Sequence, residues 1–191
     1  MNVKFRVALA GALLLMAASC STDEEIGLEP LVCPAAGVLS DAASLRVFGD
    51  GAGRSDADIA YDLEFMRVHL LECALENGEM KAAIRYEARA KPGPAATQNA
   101  YEYQYFVALL APDGTILSKT IQRSTAKFKS DRAEIFFAEE YDDIEFTVPE
   151  DADGLGYEIL IGFQLTREQM EYNRARRASP AARTFPDVET R

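Results

Sequence analysis

Tryptophan is absent from this chain, and histidine occurs once, as His69, among 191 residues. A single histidine removes most zinc sites built on imidazole and most Ser–His or Cys–His nucleophile designs. Residues 49–55 are rich in glycine, but their spacing matches neither a dinucleotide-binding motif nor a P-loop. The sequence therefore predicts no metal, no cofactor and no recognised catalytic motif, and we expect a protein that is not an enzyme.

Basic residues are also scarce relative to acidic ones. The chain has 20 Lys and Arg against 31 Asp and Glu, for a formal net charge of −11. Such a surface repels nucleic-acid phosphates, so we expect no nucleic-acid partner. Hydrophobic residues make up 48% of the chain, which is ordinary for a folded protein and excludes global disorder.

No apolar run is long enough to span a bilayer, which needs about 20 residues. The longest run near the N-terminus, residues 7–16, follows Lys4 and Arg6 and has the length of a secretory signal core. The small residues 17–19 then lead directly to Cys20. We therefore predict a signal peptide over 1–19.

The segment that ends at Cys20 resembles a bacterial lipobox, with Ala17 at the position where that pattern usually has Leu. The resemblance implies a diacylglycerol and an acyl chain such as palmitate on Cys20, and therefore a membrane anchor. Ser21, directly after the lipidated cysteine, resembles the residues found in lipoproteins that are sorted to the outer membrane. This implies a protein anchored in the outer membrane and facing the periplasm. Residues 20–32 are acidic and lack periodicity, which predicts a lipidated tether.

Two cysteines remain if Cys20 carries lipid, namely Cys33 and Cys73. The compartment beyond the inner membrane is oxidising, so a structural disulfide between them is the preferred interpretation. The alternative is a pair of buried thiols. Their spacing fits neither a zinc site nor a CxxC redox motif.

Residues 57–76 allow two interpretations. Ile59, Tyr61, Leu63 and Phe65 alternate with polar residues as in a half-buried strand, and the phase then slips twice, which indicates bulges. Apolar residues also recur at helical spacing across the same segment. We favour the strand, because Asn77-Gly78 is a strong signal for a type I′ hairpin turn.

Further strands are predicted by alternation and by turn signals such as Pro112-Asp113-Gly114. They cover residues 45–48, 80–88, 101–109, 115–122, 133–137, 144–148 and 157–165. Thr166 and Gln169 then form a capping box, which predicts a helix over 167–177. This order predicts an all-β, antiparallel, immunoglobulin-like β-sandwich over 33–178 with a short C-terminal α-helix, and a flexible tail over 179–191.

Several stretches carry a resemblance to a known family. They are Cys33-Pro34 after the lipobox, residues 105–108 before the 112–114 turn, residues 157–166, and Tyr172-Asn173. Together they resemble small proteobacterial outer-membrane lipoproteins of unknown function. The resemblance implies a binding or assembly module in the cell envelope and supplies no activity.

The predicted helix carries the best candidate for contact with an envelope partner. Its end contains Tyr172, Arg174, Arg176 and Arg177, and this basic cluster contrasts with an acidic protein. The same arginines also suit the C-terminal end of a helix dipole.

Acidic loops are the basis of an alternative, a periplasmic hydrolase of unrecognised type. Residues 139–143 contain four carboxylates, which can act in pairs only when they face a cleft. Residues 151–154 resemble the start of a calcium loop, but Leu160 stands where its final Glu belongs. Solvated turns and edges are the simpler interpretation of both stretches.

Overall fold

Two four-stranded sheets packed face to face make up the body of the protein. The computed structural model describes residues 32–51, 53–129, 134–149 and 153–178. The strands are β1 Ala35–Val38, β2 Ser44–Phe48, β3 Ile59–Glu76, β4 Glu79–Pro92, β5 Ala100–Leu110, β6 Ile116–Lys127, β7 Ile135–Thr147 and β8 Glu158–Phe163. Short 3₁₀ turns lie at Ser40–Ala42 and Asp56–Asp58, and helix α1 spans Arg167–Ala178. The predicted all-β sandwich with a short C-terminal helix is confirmed.

Several predicted features lie outside the described residues. They are the signal peptide over 1–19, the lipidation site Cys20, nearly all of the tether over 20–32, the tail over 179–191, and two residues of the calcium-like loop, Asp151 and Ala152. No helix in the described ranges has the length and apolar character that crossing a bilayer requires.

The two sheets have different strand orders. Sheet A runs β1-β8-β5-β6 and sheet B runs β2-β3-β4-β7. Neighbouring strands are antiparallel except β1 and β8, which run parallel with Ala35 opposite Glu158. The long strands β6 and β7 therefore end their sheets on one side of the sandwich, and the short strands β1 and β2 end them on the other.

Residues 59–76 form one strand, so the helical alternative is wrong. Phe65 and Arg67 pair with consecutive residues of β4, which leaves Met66 as an extra bulge residue. Leu71 is the extra residue of a second bulge, between Leu70 and Glu72. Both predicted slips of phase are therefore bulges, and each restores contact between the following apolar residues and the core.

The predicted hairpin after β3 is confirmed. Asn77 has φ of 55° and Gly78 has φ of 79°, the two positive values that a type I′ turn requires. The amide of Val148 also donates to the carbonyl of Gly78, at 2.9 Å. The turn thereby sets the register of β3 and β4, the longest pairing in sheet B.

Aromatic side chains fill the space between the sheets. Phe65 stacks on Phe163 with ring centroids 4.3 Å apart and meets Tyr86 edge-on at 5.1 Å. Tyr103 and Tyr105 of β5, at 2% and 5% exposure, belong to the same core. Tyr103 and Tyr105 are therefore core residues whose rings are not available to a ligand, whereas Tyr101 of the same strand is only partly buried.

Cys33 and Cys73 are joined by a disulfide, with their Cα atoms 6.0 Å apart. The two cysteines are therefore placed as a disulfide requires, which is compatible with the predicted pairing. The bond connects the segment that enters β1 to the middle strand β3. It therefore attaches the segment that precedes β1 to sheet B.

Two strand predictions need correction. Residues 133–137 and 144–148 were expected as two short strands, but β7 is continuous over Ile135–Thr147. All of its acidic residues except Glu139 are exposed at the edge of the sheet, where charge is compatible with strand structure. Strand β1 was not expected, because its sequence, AAGV, has little β propensity of its own.

Candidate partner-binding surface

Helix α1 begins at the capping box that the sequence predicts. The amide of Gln169 donates to Thr166 Oγ1 at 3.2 Å, and the amide of Thr166 donates to Gln169 Oε1 at 2.9 Å. Two amides at the helix start are thereby satisfied locally. The helix is therefore defined by its own sequence before it contacts the sandwich.

One buried polar residue holds α1 against the domain. Asn173, 4% exposed, donates from its side-chain amide to the carbonyls of Asp41 and Ser44, at 3.2 and 2.7 Å. The 3₁₀ turn that carries Asp41 packs closely on β8, because Gly162 has no Cβ to collide with Ala42. Asn173 therefore fixes the position of α1 over the β1 and β2 side of the sandwich.

The structure places two of the predicted contact arginines against one carboxylate. Arg174 Nε donates to Asp41 Oδ2 at 2.8 Å, and Arg177 forms an ion pair with the other oxygen of Asp41. Both arginines are partly exposed, so these ion pairs add little to stability. Arg176 is exposed on the same last turn. No local pattern indicates the role of Asp41, because its partners lie more than 130 residues away.

Tyr172, the fourth predicted contact residue, packs onto strand β2. Its ring meets Phe48 edge-on at 5.7 Å, and its hydroxyl accepts from Arg46 Nη1 at 3.2 Å. Arg46 also donates to Asp62 through Nε at 3.1 Å. Burial opposes the charge of Arg46, but these two partners outweigh burial and raise the pKa of the guanidinium.

A groove of about 330 Å³ lies between α1 and β2, and we refer to it as the α1 groove. Its lining comprises Arg46, Phe48, Arg54, Glu168, Gln169, Glu171, Tyr172, Asn173 and Ala175. The guanidinium of Arg54 lies 4.8 Å from the ring centre of Phe48 and pairs with Glu168. Both members of that ion pair are more than half exposed, so breaking the pair costs little. Each side chain can therefore bind a charged group of a partner instead.

The lining of the α1 groove has groups that are typical of recognition surfaces. It combines the aromatic rings of Phe48 and Tyr172 with the guanidinium groups of Arg46 and Arg54. Tyr and Arg are enriched among the residues that dominate protein–protein binding energies.

A second polar cluster, missed by sequence reasoning, lies inside the sandwich. The hydroxyl of Tyr86 donates to Glu139, Ser124 donates to the other carboxylate oxygen at 2.6 Å, and Tyr103 lies 3.5 Å from the Tyr86 hydroxyl. These residues come from β4, β7, β6 and β5, so no local pattern connects them. Their mutual hydrogen bonds satisfy the polar atoms that the core would otherwise leave unpaired.

Burial makes these tyrosines difficult to ionise. It raises the pKa of Tyr103 to about 12, and it raises the pKa of Tyr86 together with the hydrogen bond to Glu139. The pKa values of Tyr101 and Tyr105 are also raised by burial. Tyrosines in an unfolded chain ionise near their ordinary pKa of about 10.

The raised pKa values predict a loss of stability in alkali. Well below pH 10 Tyr103 is protonated in both states; between pH 10 and about 12 it ionises only in the unfolded chain, so the free energy of unfolding falls as pH rises. Urea midpoints measured at neutral pH and near pH 11 should show this decrease. Equal midpoints would contradict it, and Tyr103→Phe should flatten the decrease.

The remaining sequence candidates do not converge on one site. Among the acids of β7, Glu139 belongs to the tyrosine cluster, whereas Glu140 pairs with Arg85 at 2.8 Å. His69 is an exposed residue of β3 that pairs across the strand with Arg85. The residues that the structure describes contain no group of three or more His, Cys, Asp or Glu side chains suited to a metal ion.

Comparison with known proteins adds no assignment. No protein-family model matches this chain, and no curated protein matches its sequence significantly. The α1 groove and the surfaces around it must therefore be interpreted from their own geometry and chemistry.

Proposed function

We propose that this chain is a non-enzymatic lipoprotein of the bacterial cell envelope, whose sandwich domain acts as a binding or assembly module. The α1 groove is the contact surface for a protein partner. The observation that carries this proposal is the groove itself, where the aromatic rings of Phe48 and Tyr172 meet an exposed Arg54–Glu168 pair on a helix that Asn173 holds in place.

The lipobox-like segment supports the location. A lipid on Cys20 would anchor the domain at the outer membrane, facing the periplasm, and two or more acyl chains are sufficient for stable anchoring. The Cys33–Cys73 disulfide is consistent with an oxidising compartment. An acidic tether over 20–32 would separate the domain from the lipid surface.

A crosslinked pull-down from the native envelope tests the contact surface. The wild-type chain is compared with Arg54→Ala/Glu168→Ala and with a chain truncated after Leu165, which lacks α1. We expect one stoichiometric partner with the wild type, its recovery reduced at least roughly tenfold by the double substitution and abolished by the truncation.

The matched control is Arg67→Ala/Glu87→Ala, which removes another exposed ion pair, 2.9 Å long, from the outer face of sheet B. This control should recover the partner as the wild type does. A partner that is lost equally from both double variants, or retained by the truncated chain, would rule out the α1 groove as the contact surface.

A further inference from the structure

The side of the sandwich opposite α1 has two long strand edges that no described strand covers. Strand β6 ends sheet A and strand β7 ends sheet B, over 12 and 13 residues. Natural proteins usually keep edge strands short or cover them, because unpaired backbone groups on an edge readily pair with another chain. Two such edges side by side require an explanation.

The two edges carry opposite charge. Strand β6 contains Lys119, Arg123 and Lys127 and no acid. Strand β7 contains five acids and no base, at positions 139, 140, 142, 143 and 145. In a chain of net charge −11, a strand with only basic charges is a local exception.

The same two strands expose apolar surface. Four of the nine large hydrophobic residues that are exposed in the described ranges belong to them, namely Ile116, Leu117, Ile121 and Phe136. Between the two edges lie clefts of about 220 and 380 Å³ that reach core residues such as Leu109 and Ile159. This side of the sandwich therefore leaves part of its core accessible.

The relative direction of the edges can be derived from two contacts. Thr120 lies 3.2 Å from the Tyr141 hydroxyl, and Ser124 lies 2.6 Å from Glu139. Residue numbers increase along β6 as they decrease along β7, so the two strands run antiparallel. The contacts also show which residues lie at the same height, meaning the same position along the strand direction. The contacts also place Lys119 at the height of residues 142–143 and Arg123 at the height of Glu140.

We infer that this side is a self-association surface, on which β6 of one copy pairs with β7 of a second copy. A two-fold axis parallel to the strands exchanges the two sheets and preserves heights and strand directions. It therefore brings each β6 beside the β7 of the other copy, antiparallel, at two places at once. The dimer is closed, and both pairs of edges are covered.

Charge complementarity favours this dimer over the one that a second possible two-fold axis would produce. An axis perpendicular to the sheets would place β6 against β6 and β7 against β7, so that like charges would lie opposite each other. The axis parallel to the strands instead places Lys119 beside Asp142 and Asp143 of the second copy, and Arg123 beside its Glu140. The occupant of the edge is thus a second copy of this chain.

This inference is independent of the proposed function, because α1 lies on the opposite side of the sandwich. Sedimentation equilibrium of the full-length chain in a density-matched mild detergent tests it. The wild type should be a dimer at low salt, and Lys119→Glu/Arg123→Glu and Asp142→Lys/Asp143→Lys should each raise the dimer Kd at least about a hundredfold. A monomeric wild type, or variants that remain dimers, would overturn the proposal.

An equimolar mixture of the two variants gives the sharpest test. The first variant has two acidic edges, whereas the second keeps its basic β6 and carries lysine at two of the five acidic positions of β7. A heterodimer therefore restores opposite charges where Lys119 faces Asp142 and Asp143, while position 123 still faces Glu140. Mixing should lower the dimer Kd at least about tenfold below that of either variant alone, and a mixture that stays monomeric would also overturn the inference.

Two controls separate pairing from side effects of substitution. Glu72→Lys/Glu76→Lys changes net charge as Asp142→Lys/Asp143→Lys does, but on exposed positions of β3, which β4 separates from β7. This control variant should remain a dimer. If it dissociates, association depends on net charge and not on pairing of the edge strands, and the inference is refuted. Unchanged circular dichroism of every variant verifies that the sandwich still folds.

Discussion

Replacing both Cys33 and Cys73 by serine is expected to lower the free energy of unfolding by about 4 kcal/mol. The disulfide closes a loop with a sequence separation of 40 residues, so it removes much of the conformational freedom of the unfolded chain. In the folded state it holds the segment before β1, a strand of only four residues. Urea unfolding of the variant and of the wild type measures the difference.

Reduction provides the control for that substitution. A reducing agent should destabilise the wild-type protein by the same amount and leave the serine variant unchanged. An unfolding midpoint that is the same with and without the disulfide would mean that the crosslink is not formed or does not constrain the unfolded chain.

Phe65→Ala is expected to cost about 3–5 kcal/mol, the range for a large aromatic removed from a core. Phe65 is 4% exposed and contacts aromatic residues of both sheets, so its loss leaves a cavity that neither sheet can close without moving. Thermal or urea unfolding of the purified variant measures the change.

The neighbouring residue is the matched control. Met66 is 49% exposed because it is the extra residue of the first β3 bulge, and Met66→Ala should change stability by less than about 0.5 kcal/mol. If the two substitutions had similar effects, the bulge would not separate the buried position from the exposed one, and our description of β3 would be wrong.

These two residues also show why much of the fold could be predicted from sequence. The switch from an odd to an even apolar set after Phe65 is a direct consequence of a bulge, because side chains alternate between faces along a strand. Asn77-Gly78 and the Thr166–Gln169 capping box are likewise local signals. Each of these features depends on residues only a few positions apart, and interactions over such short separations can be recognised from sequence patterns.

Features that depend on distant residues could not be predicted. Strand β1 exists because it pairs with β8, more than 120 positions later. Glu139 was interpreted as one acid of a solvated cluster, whereas Tyr86 and Ser124 draw it into a hydrogen-bonded network. The run of acids within β7 suggests a break between two strands. The strand is continuous because it lies at the edge of its sheet, where charged side chains are tolerated.

The candidate surface was predicted in part for the same reason. The helix follows from the local sequence, and of the four residues predicted for partner contact only Tyr172 lines the groove. The groove beside them also requires Phe48, Arg46 and Arg54, which β2 and the following loop supply from over 110 positions away. Asp41 then engages Arg174 and Arg177, so the basic end of α1 is partly neutralised within the chain.

The proposed function depends most directly on the lipid anchor at Cys20. The decisive measurement is metabolic labelling with an alkyne analogue of palmitate, in cells that produce the wild type, Cys20→Ser, or Cys33→Ser/Cys73→Ser as a matched cysteine control. We predict label on the wild type and on the control, and none on Cys20→Ser, which should accumulate as uncleaved precursor. Equal labelling of Cys20→Ser would contradict the assignment of this chain as an envelope lipoprotein.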